Sequence, residues 1–378
     1  MKPAMPDADA AGLITLALGG DVMTGRGIDQ ILPHPCHPTL YESYVTTALA
    51  YVELAEAAHG PMSRPVDFTY PWGDALEALK RAAVDARIVN LETSVTRSEE
   101  PWPKGINYRM SPENLPCLTA AKIGGCALAN NHVLDWGNAG LLDTIGALAR
   151  AGIASAGAGR DRAQAEAPAV IDIAGKGRVL LFSFGSETSG IPPEWAAGSG
   201  RPGVNLLTDL SDRTVDRIAT RVSAVKCAGD LVVASIHWGG NWGYAVLRDQ
   251  RAFARALIER AGVDLIHGHS SHHAKGIEVC NDRPILYGCG DLLNDYEGIA
   301  GHEEFRNDLA VIYLARMESS TGRLKGLELL PMRVRRFQLH RATAEEAQWL
   351  CETFAREGKR FGTRAALTAG RTIEMRWD

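Results

Sequence analysis

Polar residues that bind metals or move protons follow several apolar runs of this sequence, at points where buried strands should end. They are acids, amides and imidazoles, namely Asp21, Glu92, Asn131, His132, His237, His269 and His272. Open α/β sheets carry their sites at the carboxyl ends of strands, where a rigid strand meets a solvent-reachable loop. This mixed donor set suits a divalent ion such as Zn²⁺, Mn²⁺ or Fe²⁺, and its oxygen-rich part suits Mg²⁺ or Ca²⁺. The sequence therefore predicts one or two divalent ions per chain.

The stretch from residue 125 to residue 137 combines these features most densely. A short apolar run stops at Asn130, Asn131 and His132, and Gly137 then opens a helical pattern. Because asparagine also caps helices well, a capping turn and a chemical site explain this stretch equally when it is taken alone. An isolated aspartate such as Asp21 has the same two interpretations.

These residues require a layered scaffold, and the pattern of the chain supplies one. Short β-branched or apolar runs predict strands at 13–18, 87–91, 178–184, 231–236 and 263–266, and amphipathic segments between them predict helices. Alternation of strands and helices predicts an α/β protein rather than a helix bundle or a β-sandwich. Residues 29–70 interrupt the pattern with several prolines and are predicted to form an insertion on the active face, with an amphipathic helix at 41–59.

Composition excludes several classes of partner. Among the 378 residues the formal net charge is -5 and basic residues are scattered, which predicts neither nucleic acid nor an anionic membrane surface as partner. The seven cysteines are widely spaced, without a metal-knuckle or disulfide-framework pattern, and fit a reducing cytosol. The first apolar run is too short for a signal peptide or membrane span, so a cytoplasmic location is expected.

Six short motifs occur in an order that resembles a known family. The chain is similar to the CapA (poly-γ-glutamate capsule synthesis) family of the calcineurin-like metallophosphoesterase superfamily over roughly residues 13–335. The motifs are Gly20-Asp21-Val22-Met23, Asn90-Leu91-Glu92, Ala129-Asn130-Asn131-His132, His237-Trp238-Gly239, Gly268-His269-Ser270-Ser271-His272 and Gly288-Cys289-Gly290-Asp291. Six motifs in the right order carry more weight than any one of them.

The resemblance implies a fold, a domain plan and a ligand set. The fold is a four-layer α/β/β/α sandwich, the calcineurin-like metallophosphatase fold. It occupies residues 13–335, after a flexible N-terminus at 1–12 and before a C-terminal helical extension at 336–378. By this resemblance, His132 is the acid or base beside the metal, and the ligands are Asp21, Glu92, Asn131, His237 and His269 or His272.

This chain departs from the classical phosphoesterase pattern in three places. Met23 stands where an imidazole is usual, Glu92 replaces a bridging aspartate, and the Gly-His-x-His element is longer by one residue. One of the two metal positions is therefore expected to be weakened or lost.

The resemblance also extends to members without an anchor that are peptide epimerases in ribosomal (lasso-type) peptide maturation. We therefore expect a metal-dependent epimerase that inverts Cα of the C-terminal residue of a precursor peptide. A metal on the terminal carboxylate would stabilise the carbanion, and inversion needs two acid or base groups. His132 is the first candidate, and Asp291, Asp295 or Cys289 is the second. Alternatively, Cys289 is a small buried hydrophobe and Asp291 orients a ligand imidazole.

Aromatic residues of one glycine-rich loop are candidates for binding a peptide substrate. Trp238, Trp242 and Tyr244 are predicted to form a wall beside His237, although Trp238 also suits packing on the sheet edge. Two rival functions remain at this level. One is phosphoester hydrolysis, in which Arg26 and Lys275 would bind phosphate, and the other is metal-dependent binding without catalysis. The oligomeric state is not predicted.

Overall fold

A computed structural model describes residues 12–377 of the chain. Within them the chain forms nine α-helices and 21 β-strands. In chain order the helices are α1 (Gly27–Ile31), α2 (Leu49–His59), α3 (Asp74–Arg81), α4 (Pro116–Ala120), α5 (Gly137–Arg150), α6 (Arg162–Glu166), α7 (Asp212–Val225), α8 (Arg248–Arg260) and α9 (Ala344–Gly358). The predicted flexible N-terminus at 1–12 lies, except for residue 12, outside the described residues.

The strands are longer on average in the central parts of the two main sheets than at their edges. In chain order they are β1 (Leu13–Val22), β2 (Ala86–Leu91), β3 (Ser94–Val95), β4 (Arg109–Met110), β5 (Gly125–Ala127), β6 (Ala154–Ala156), β7 (Ala158–Gly159), β8 (Ala169–Ile173), β9 (Gly177–Ser186), β10 (Gly203–Val204), β11 (Leu206–Leu207), β12 (Asp230–His237), β13 (Leu265–His269), β14 (Ile277–Cys280), β15 (Arg283–Leu286), β16 (Asp291–Leu293), β17 (Leu309–Glu318), β18 (Arg323–Arg335), β19 (Gln338–Arg341), β20 (Thr363–Leu367) and β21 (Ile373–Trp377).

Two large sheets carry most of these strands. Sheet 1 has the order β20-β21-β18-β17-β1-β2-β5-β6, with β16 also paired to β1 and β19 to β18. Sheet 2 has the order β11-β9-β12-β13-β15-β14, with β8 paired to β9. The strands that carry the predicted site residues are parallel neighbours: β1 with β2 and β16, and β12 with β13. The α/β class predicted from the sequence is confirmed.

Alternating side chains of the central strands divide the core into three apolar clusters. In β1, Leu16 and Leu18 belong to a cluster shared with residues of sheet 2, whereas Ala17 packs with residues from α3, α4 and α5. In β12, Val233 joins the shared cluster, whereas Val232 packs with residues of α7 and α8. This period of two is the pattern of strands that are buried on both faces.

The C-terminal region is not purely helical. The predicted helical extension at 336–378 contains α9, but it also contributes β19, β20 and β21, which lengthen sheet 1 at one edge. The insertion at 29–70 holds the helix α2, which starts at Leu49 rather than at residue 41. Across residues 12–377, every helix is too short or too polar to cross a membrane.

Candidate metal centre

Asp21 lies at the centre of the candidate site because two parallel neighbours place polar residues on either side of it. In the strand register, Asn90 of β2 and Asp291 of β16 are the partners of Asp21 on β1. A Cβ on Gly20 would lie 1.8 Å from the carbonyl oxygen of Gly290, so only glycine allows β1 to approach this closely. The carboxylates of Asp21 and Asp291 are therefore neighbours on sheet 1, and both are buried.

Sheet 2 delivers two imidazoles to the same place. His237 ends β12 and His269 ends β13, and the two residues are paired in register. Their Nδ1 atoms are 2.8 Å apart, and Nδ1 of His269 is 3.7 Å from Oδ1 of Asp21. One ligand atom each from Asp21, His237 and His269 therefore falls within a space that a single ion can occupy.

A chain of hydrogen bonds behind His269 fixes which of its nitrogens carries the proton. The carbonyl oxygen of Gly19 accepts from Nε2 of His267 at 2.9 Å, so Nδ1 of neutral His267 is bare. Ser235 must then donate its hydroxyl proton to that Nδ1, at 3.0 Å. Since the hydroxyl has one proton, Ser235 accepts from Nε2 of His269 at 2.8 Å. The Nδ1 lone pair of His269 is thereby directed at Asp21 and His237.

The protons on the His237 ring show whether a cation fits this site. Oδ1 of Asn131 lies 3.0 Å from Nε2 of His237 and accepts its proton, which leaves Nδ1 of His237 bare. Two bare imidazole nitrogens then face each other at 2.8 Å. Lone pairs at this distance repel unless a positive charge lies beside both. The donor set therefore fits a divalent ion, which Asp21, His237 and His269 would hold.

A second group of ligand atoms shares Asp21. It consists of Asp21, His272 and Asp291, whose atoms also lie within reach of one ion. Nδ1 of His272 is 2.9 Å from Oδ1 of Asp291, and Asn294 donates to Oδ2 of Asp291 at 2.8 Å. The sequence analysis predicted that the site lacks an imidazole because Met23 stands in its place. The carboxylate of Asp291 adds a ligand atom to this second group.

The loop between His269 and His272 is held in a conformation that non-glycine residues rarely adopt. Ser270 has φ of 99°, in the left-handed region. This backbone directs the N–H of Ser270 at Oδ2 of Asp21, which accepts it at 3.1 Å. Strained backbone of this kind persists where the surroundings over-determine it, and it is common at functional sites.

Burial controls the ionisation of these groups. It lowers the pKa of His237 and His269 well below the ordinary value, so that both rings are neutral ligands. Burial, and next the charge of Asp291, raise the pKa of Asp21 to about 7. Burial would lower the pKa of His272, but the adjacent Asp291 carboxylate outweighs burial and raises it.

Two asparagine amides hold the carboxylates of sheet 1 in position. Asn90 donates to Oδ1 of Asp21 at 2.8 Å and to Oε2 of Glu92 at 3.1 Å. Its own oxygen accepts from the amide of Asn130 at 3.0 Å. Burial, followed by the charge of Asp21, raises the pKa of Glu92 well above its ordinary value. This carboxylate lies 3.9 Å from Nε2 of His237.

The imidazole of His132 is held in place by the carboxylate of Asp135. Its Nδ1 lies 2.6 Å from Oδ2 of Asp135, and its Nε2 lies 3.9 Å from Oε1 of Glu92. The turn is closed by a bond from the backbone N–H of His132 to Oδ1 of Asn130 at 3.0 Å. Burial lowers the pKa of His132 to about 4, although the charge of Asp135 opposes this change. At neutral pH the ring is therefore an unprotonated base.

Comparison with known proteins identifies the family. The model of the bacterial capsule synthesis protein PGA_cap matches residues 15–296, a span that contains every residue described above. The chain belongs to the PGA_cap family. The resemblance to CapA proteins predicted from the six motifs is therefore confirmed.

Several relatives of this PGA_cap protein carry descriptive names. It is 48% identical over 365 residues to a "Probable polyglutamine synthesis accessory protein" of Mycobacterium tuberculosis, with 96% of each chain covered. It is 28% identical over 315 residues to the "PGA biosynthesis protein CapA" of Bacillus subtilis, covering 83% of this chain and 70% of the relative. The names of these relatives thus describe an accessory protein of polyglutamine synthesis and a protein of PGA biosynthesis.

The six predicted metal ligands occupy two different positions in this PGA_cap protein. Asp21, His237, His269 and His272 belong to the two ligand groups, and Asp291 joins the second group although its predicted role was catalytic or orienting. Glu92 and Asn131 are in neither group: Glu92 lies 3.9 Å from Nε2 of His237, and Oδ1 of Asn131 lies 3.0 Å from the same nitrogen.

Two candidates for the second catalytic group are engaged elsewhere. The side chain of Cys289 packs in the apolar cluster between the sheets, and burial raises the pKa of its thiol well above the ordinary value, which opposes a thiolate base. Asp295 pairs with Arg26 at 2.5 Å and accepts from the backbone of Gly27 at 2.9 Å. The interpretation of Cys289 as a small buried hydrophobe fits the structure, and Asp295 is not a free base.

The two basic residues predicted to bind phosphate do not face the centre freely. The guanidinium of Arg26 is buried between Asp295 and Glu42 and donates to the hydroxyl of Tyr51 at 2.9 Å. Lys275 is buried and directs its ammonium at the carbonyl oxygen of Ala245, 3.5 Å away. Both side chains therefore support the protein around the site, and their predicted contact with substrate is not favoured.

The three aromatic residues of the loop after β12 have different positions. Trp238 is buried and donates to the carbonyl oxygen of Tyr287 at 3.0 Å, as its packing interpretation predicted. Trp242 is half-buried, 5.4 Å from the His272 ring, and stacks on His302 at 3.8 Å. Tyr244 is turned away, towards His273 and the C-terminal region. Of these three residues, Trp242 is therefore the one that borders the metal centre.

Sequence reasoning gave no role to several residues that support the centre from behind. Ser235 and His267 lie inside buried strands, where a polar residue in an apolar run was the only available signal, and Asn90 was named only as part of a motif. Lys104 lies in a proline-rich loop about 30 residues before the turn that it contacts, and nothing in its local sequence indicates that contact.

Proposed function

We propose that this protein is a metal-dependent enzyme that acts on a glutamate- or glutamine-containing peptide chain during synthesis of a polyglutamate-type polymer. Its leading reaction is inversion at Cα of a C-terminal residue. The polymer class follows the names of the relatives, which describe accessory proteins of polyglutamine and polyglutamate synthesis. The reaction class follows from the side chains that flank the metal centre.

One observation carries the reaction: two imidazole–carboxylate pairs flank the ligand group. His132 is paired with Asp135 at 2.6 Å, and His272 with Asp291 at 2.9 Å. Inversion requires one group that removes the Cα proton and another that returns a proton to the opposite face. Each pair has a carboxylate that orients its ring, as in other acid–base sites.

The roles can be given to the residues of the chain. A divalent ion held by Asp21, His237 and His269 would polarise a substrate carboxylate and so acidify the adjacent Cα proton. Nε2 of His132 accepts that proton, since Nδ1 is engaged by Asp135. His272 supplies a proton from the other pair. The half-buried Trp242 shields this space from water.

We also infer that the layers form the α/β/β/α sandwich of calcineurin-like metallophosphatases. The inference is supported by the three apolar clusters: one between sheet 1 and helices α3–α5, one between the sheets, and one between sheet 2 and helices α7 and α8. Metal-capable residues at the carboxyl ends of β1, β12 and β13 fit that fold.

Phosphoester hydrolysis is a second candidate, because Asp21 belongs to both ligand groups. Two ions that share a carboxylate are typical of hydrolases, and His272 and Asp291 would then be ligands rather than an acid–base pair. Only His132 would remain to protonate a leaving group. Against this candidate, Arg26 and Lys275 are engaged by protein groups and offer no evident phosphate pocket.

Metal stoichiometry and isotope exchange together distinguish these candidates. The protein is loaded with Mn²⁺ or Zn²⁺, its metal content is measured, and it is incubated in D₂O with short glutamine and glutamate oligomers and with an aryl phosphate. One ion per chain, with solvent deuterium at Cα and a D-residue on chiral analysis, supports inversion. Two ions with phosphate release support hydrolysis. Metal binding with neither reaction would support a non-catalytic binding protein and refute the proposed enzyme.

His132→Ala tests the assignment of the base. General acid–base residues contribute about 10²–10⁴-fold to rate, so this variant should lose turnover by at least roughly 100-fold while keeping its metal. His340→Ala, which changes a half-buried histidine on β19 outside the centre, is the matched control and should leave both unchanged. Loss of metal from His132→Ala would instead make His132 a ligand.

A further inference from the structure

Lys104 connects a surface loop to the turn that carries His132. Its Nζ forms an ion pair with Oδ1 of Asp135 at 2.6 Å, contacts the carbonyl oxygen of Asn131, and lies 3.3 Å from Nδ1 of His132. The ammonium also lies over the ring of Trp195, 5.2 Å from its centroid. One flexible side chain therefore contacts every polar residue of this turn that the proposed function uses.

The loop that carries Lys104 is attached to the turn at several further points. The N–H of Trp102 donates to the carbonyl oxygen of Asp135 at 2.7 Å, and the amide of Asn107 donates to the same oxygen at 3.0 Å. The N–H of Tyr108 donates to Oδ2 of Asp135 at 2.6 Å. These bonds fix where the ammonium of Lys104 can reach, so its contact with Asp135 is built by the fold.

The ammonium of Lys104 is a counter-charge for the Asp135 carboxylate. Its side chain is fully buried, and within residues 12–377 Lys104 is the one lysine or arginine that pairs with it. A buried carboxylate without a counter-charge is costly, and neutral arrangements become favoured. As an anion, Asp135 only accepts hydrogen bonds, so His132 must place its proton on Nδ1 and leave Nε2 bare. Nε2 is the nitrogen that faces Glu92 and the metal centre.

We infer that Lys104 is a positioning residue for His132: by pairing with Oδ1 of Asp135, it holds the carboxylate so that Oδ2 accepts from Nδ1 of His132, which keeps the imidazole in the Nδ1–H tautomer with Nε2 free to accept a proton. This inference deepens the proposed function and rests on it, because a free Nε2 matters for catalysis only if His132 accepts the substrate proton. The tautomer itself can be measured without any substrate, so the two ideas can fail separately.

The experiment measures the His132 tautomer by ¹⁵N NMR of imidazole-labelled, Zn²⁺-loaded protein, with His132→Ala to assign the signals. Lys104→Met removes the charge, and Lys104→Gln removes it while keeping a donor. Lys104→Arg keeps a cation. Lys176→Met is the matched control, because Lys176 forms a similar ion pair with Asp85 at 2.9 Å, elsewhere in the protein.

We expect the Nδ1–H form to dominate in the unaltered protein, in Lys104→Arg and in Lys176→Met. Lys104→Met and Lys104→Gln should show mixed tautomers with unchanged zinc content, and turnover roughly 100-fold lower at similar KM. A single Nδ1–H tautomer in both neutral variants would overturn the inference, even if the enzyme proved to be an epimerase. If the tautomer shifts as expected but no Cα exchange is found with any oligomer, only the proposed reaction fails.

Discussion

Replacing Ser235 by alanine should weaken metal binding, although Ser235 is not a ligand. The hydroxyl of Ser235 is fully buried and joins Nδ1 of His267 to Nε2 of His269. Ser235→Ala leaves both nitrogens without a partner. An unpaired buried polar group costs about 1–3 kcal/mol, so two of them should lower the free energy of unfolding by about 2–6 kcal/mol. Because partners that orient ligand imidazoles typically contribute 10–100-fold to metal affinity, about that loss is expected for Zn²⁺.

Affinity is measured by competition with a chromophoric chelator, and stability by urea unfolding of the metal-free protein. Ser183→Ala is the matched control, since Ser183 is the register partner of Ser235 on β9 and is also buried. Its hydroxyl accepts only from the N–H of Ala129, at 3.3 Å, so its loss should cost about 1 kcal/mol and leave zinc affinity unchanged. Equal zinc affinities for the two variants would refute the hydrogen-bond relay as the device that orients His269.

Three further variants test other parts of the structure. Burial, and next the charge of Arg360, lower the pKa of Lys275 from 10.5 to about 8; the unfolded chain therefore binds this proton more tightly, and stability rises with pH between these values. Lys275→Met should gain up to about 3 kcal/mol in urea unfolding at pH 7, and the gain should vanish towards pH 10.5; a gain that is independent of pH would contradict the burial of a charged lysine. Trp242→Ala should raise KM about tenfold with a smaller effect on kcat, since this ring borders the centre; a purely kcat effect would place it outside the substrate path. Asp291→Asn should lower metal content by one ion per chain only if the unaltered protein binds two, as measured by elemental analysis.

Central strands could be predicted from the sequence because strands that are buried on both faces consist of short apolar runs. The run at 231–236 became β12 (Asp230–His237), and the run at 13–18 became the start of β1 (Leu13–Val22). The polar residues that end these strands meet because parallel neighbours align their carboxyl ends. Local pattern placed Asp21, His237 and His269 at strand ends. That Asp21 of sheet 1 and the two histidines of sheet 2 share one ligand set was predicted from the resemblance to the CapA family.

Elements whose stability comes from distant partners could not be predicted in this way. The strand β21 (Ile373–Trp377) alternates polar and apolar residues, lies next to the edge strand β20, and pairs with β18, more than 40 residues earlier in the chain. The helix predicted from residue 41 begins at Leu49, and Glu42 before it pairs instead with Arg26. In both cases a long-range contact outweighs local propensity.

The role of each residue in the metal centre was harder to predict than which residues lie near it. Asp291 and Asp295 are four residues apart, and both are acids near the end of the same short strand. Register places Asp291 beside Asp21, whereas Asp295 faces the guanidinium of Arg26. Which carboxylate keeps a free lone pair thus depends on a salt bridge whose two members are 269 residues apart. No spacing rule within a single sequence contains that information.

Electrostatic balance gives a reason for a divalent cation that is independent of any relative. Three buried carboxylates, of Asp21, Glu92 and Asp291, lie at this edge of sheet 1. The two facing imidazoles, His237 and His269, are neutral because burial lowers the pKa of each ring. Buried anions are tolerated when they are protonated, paired or bound to metal. The raised pKa values of Asp21 and Glu92 describe the first solution, and a divalent ion in place of those protons would be the second. A divalent ion would therefore compete with the proton on Asp21 at a pH near neutral.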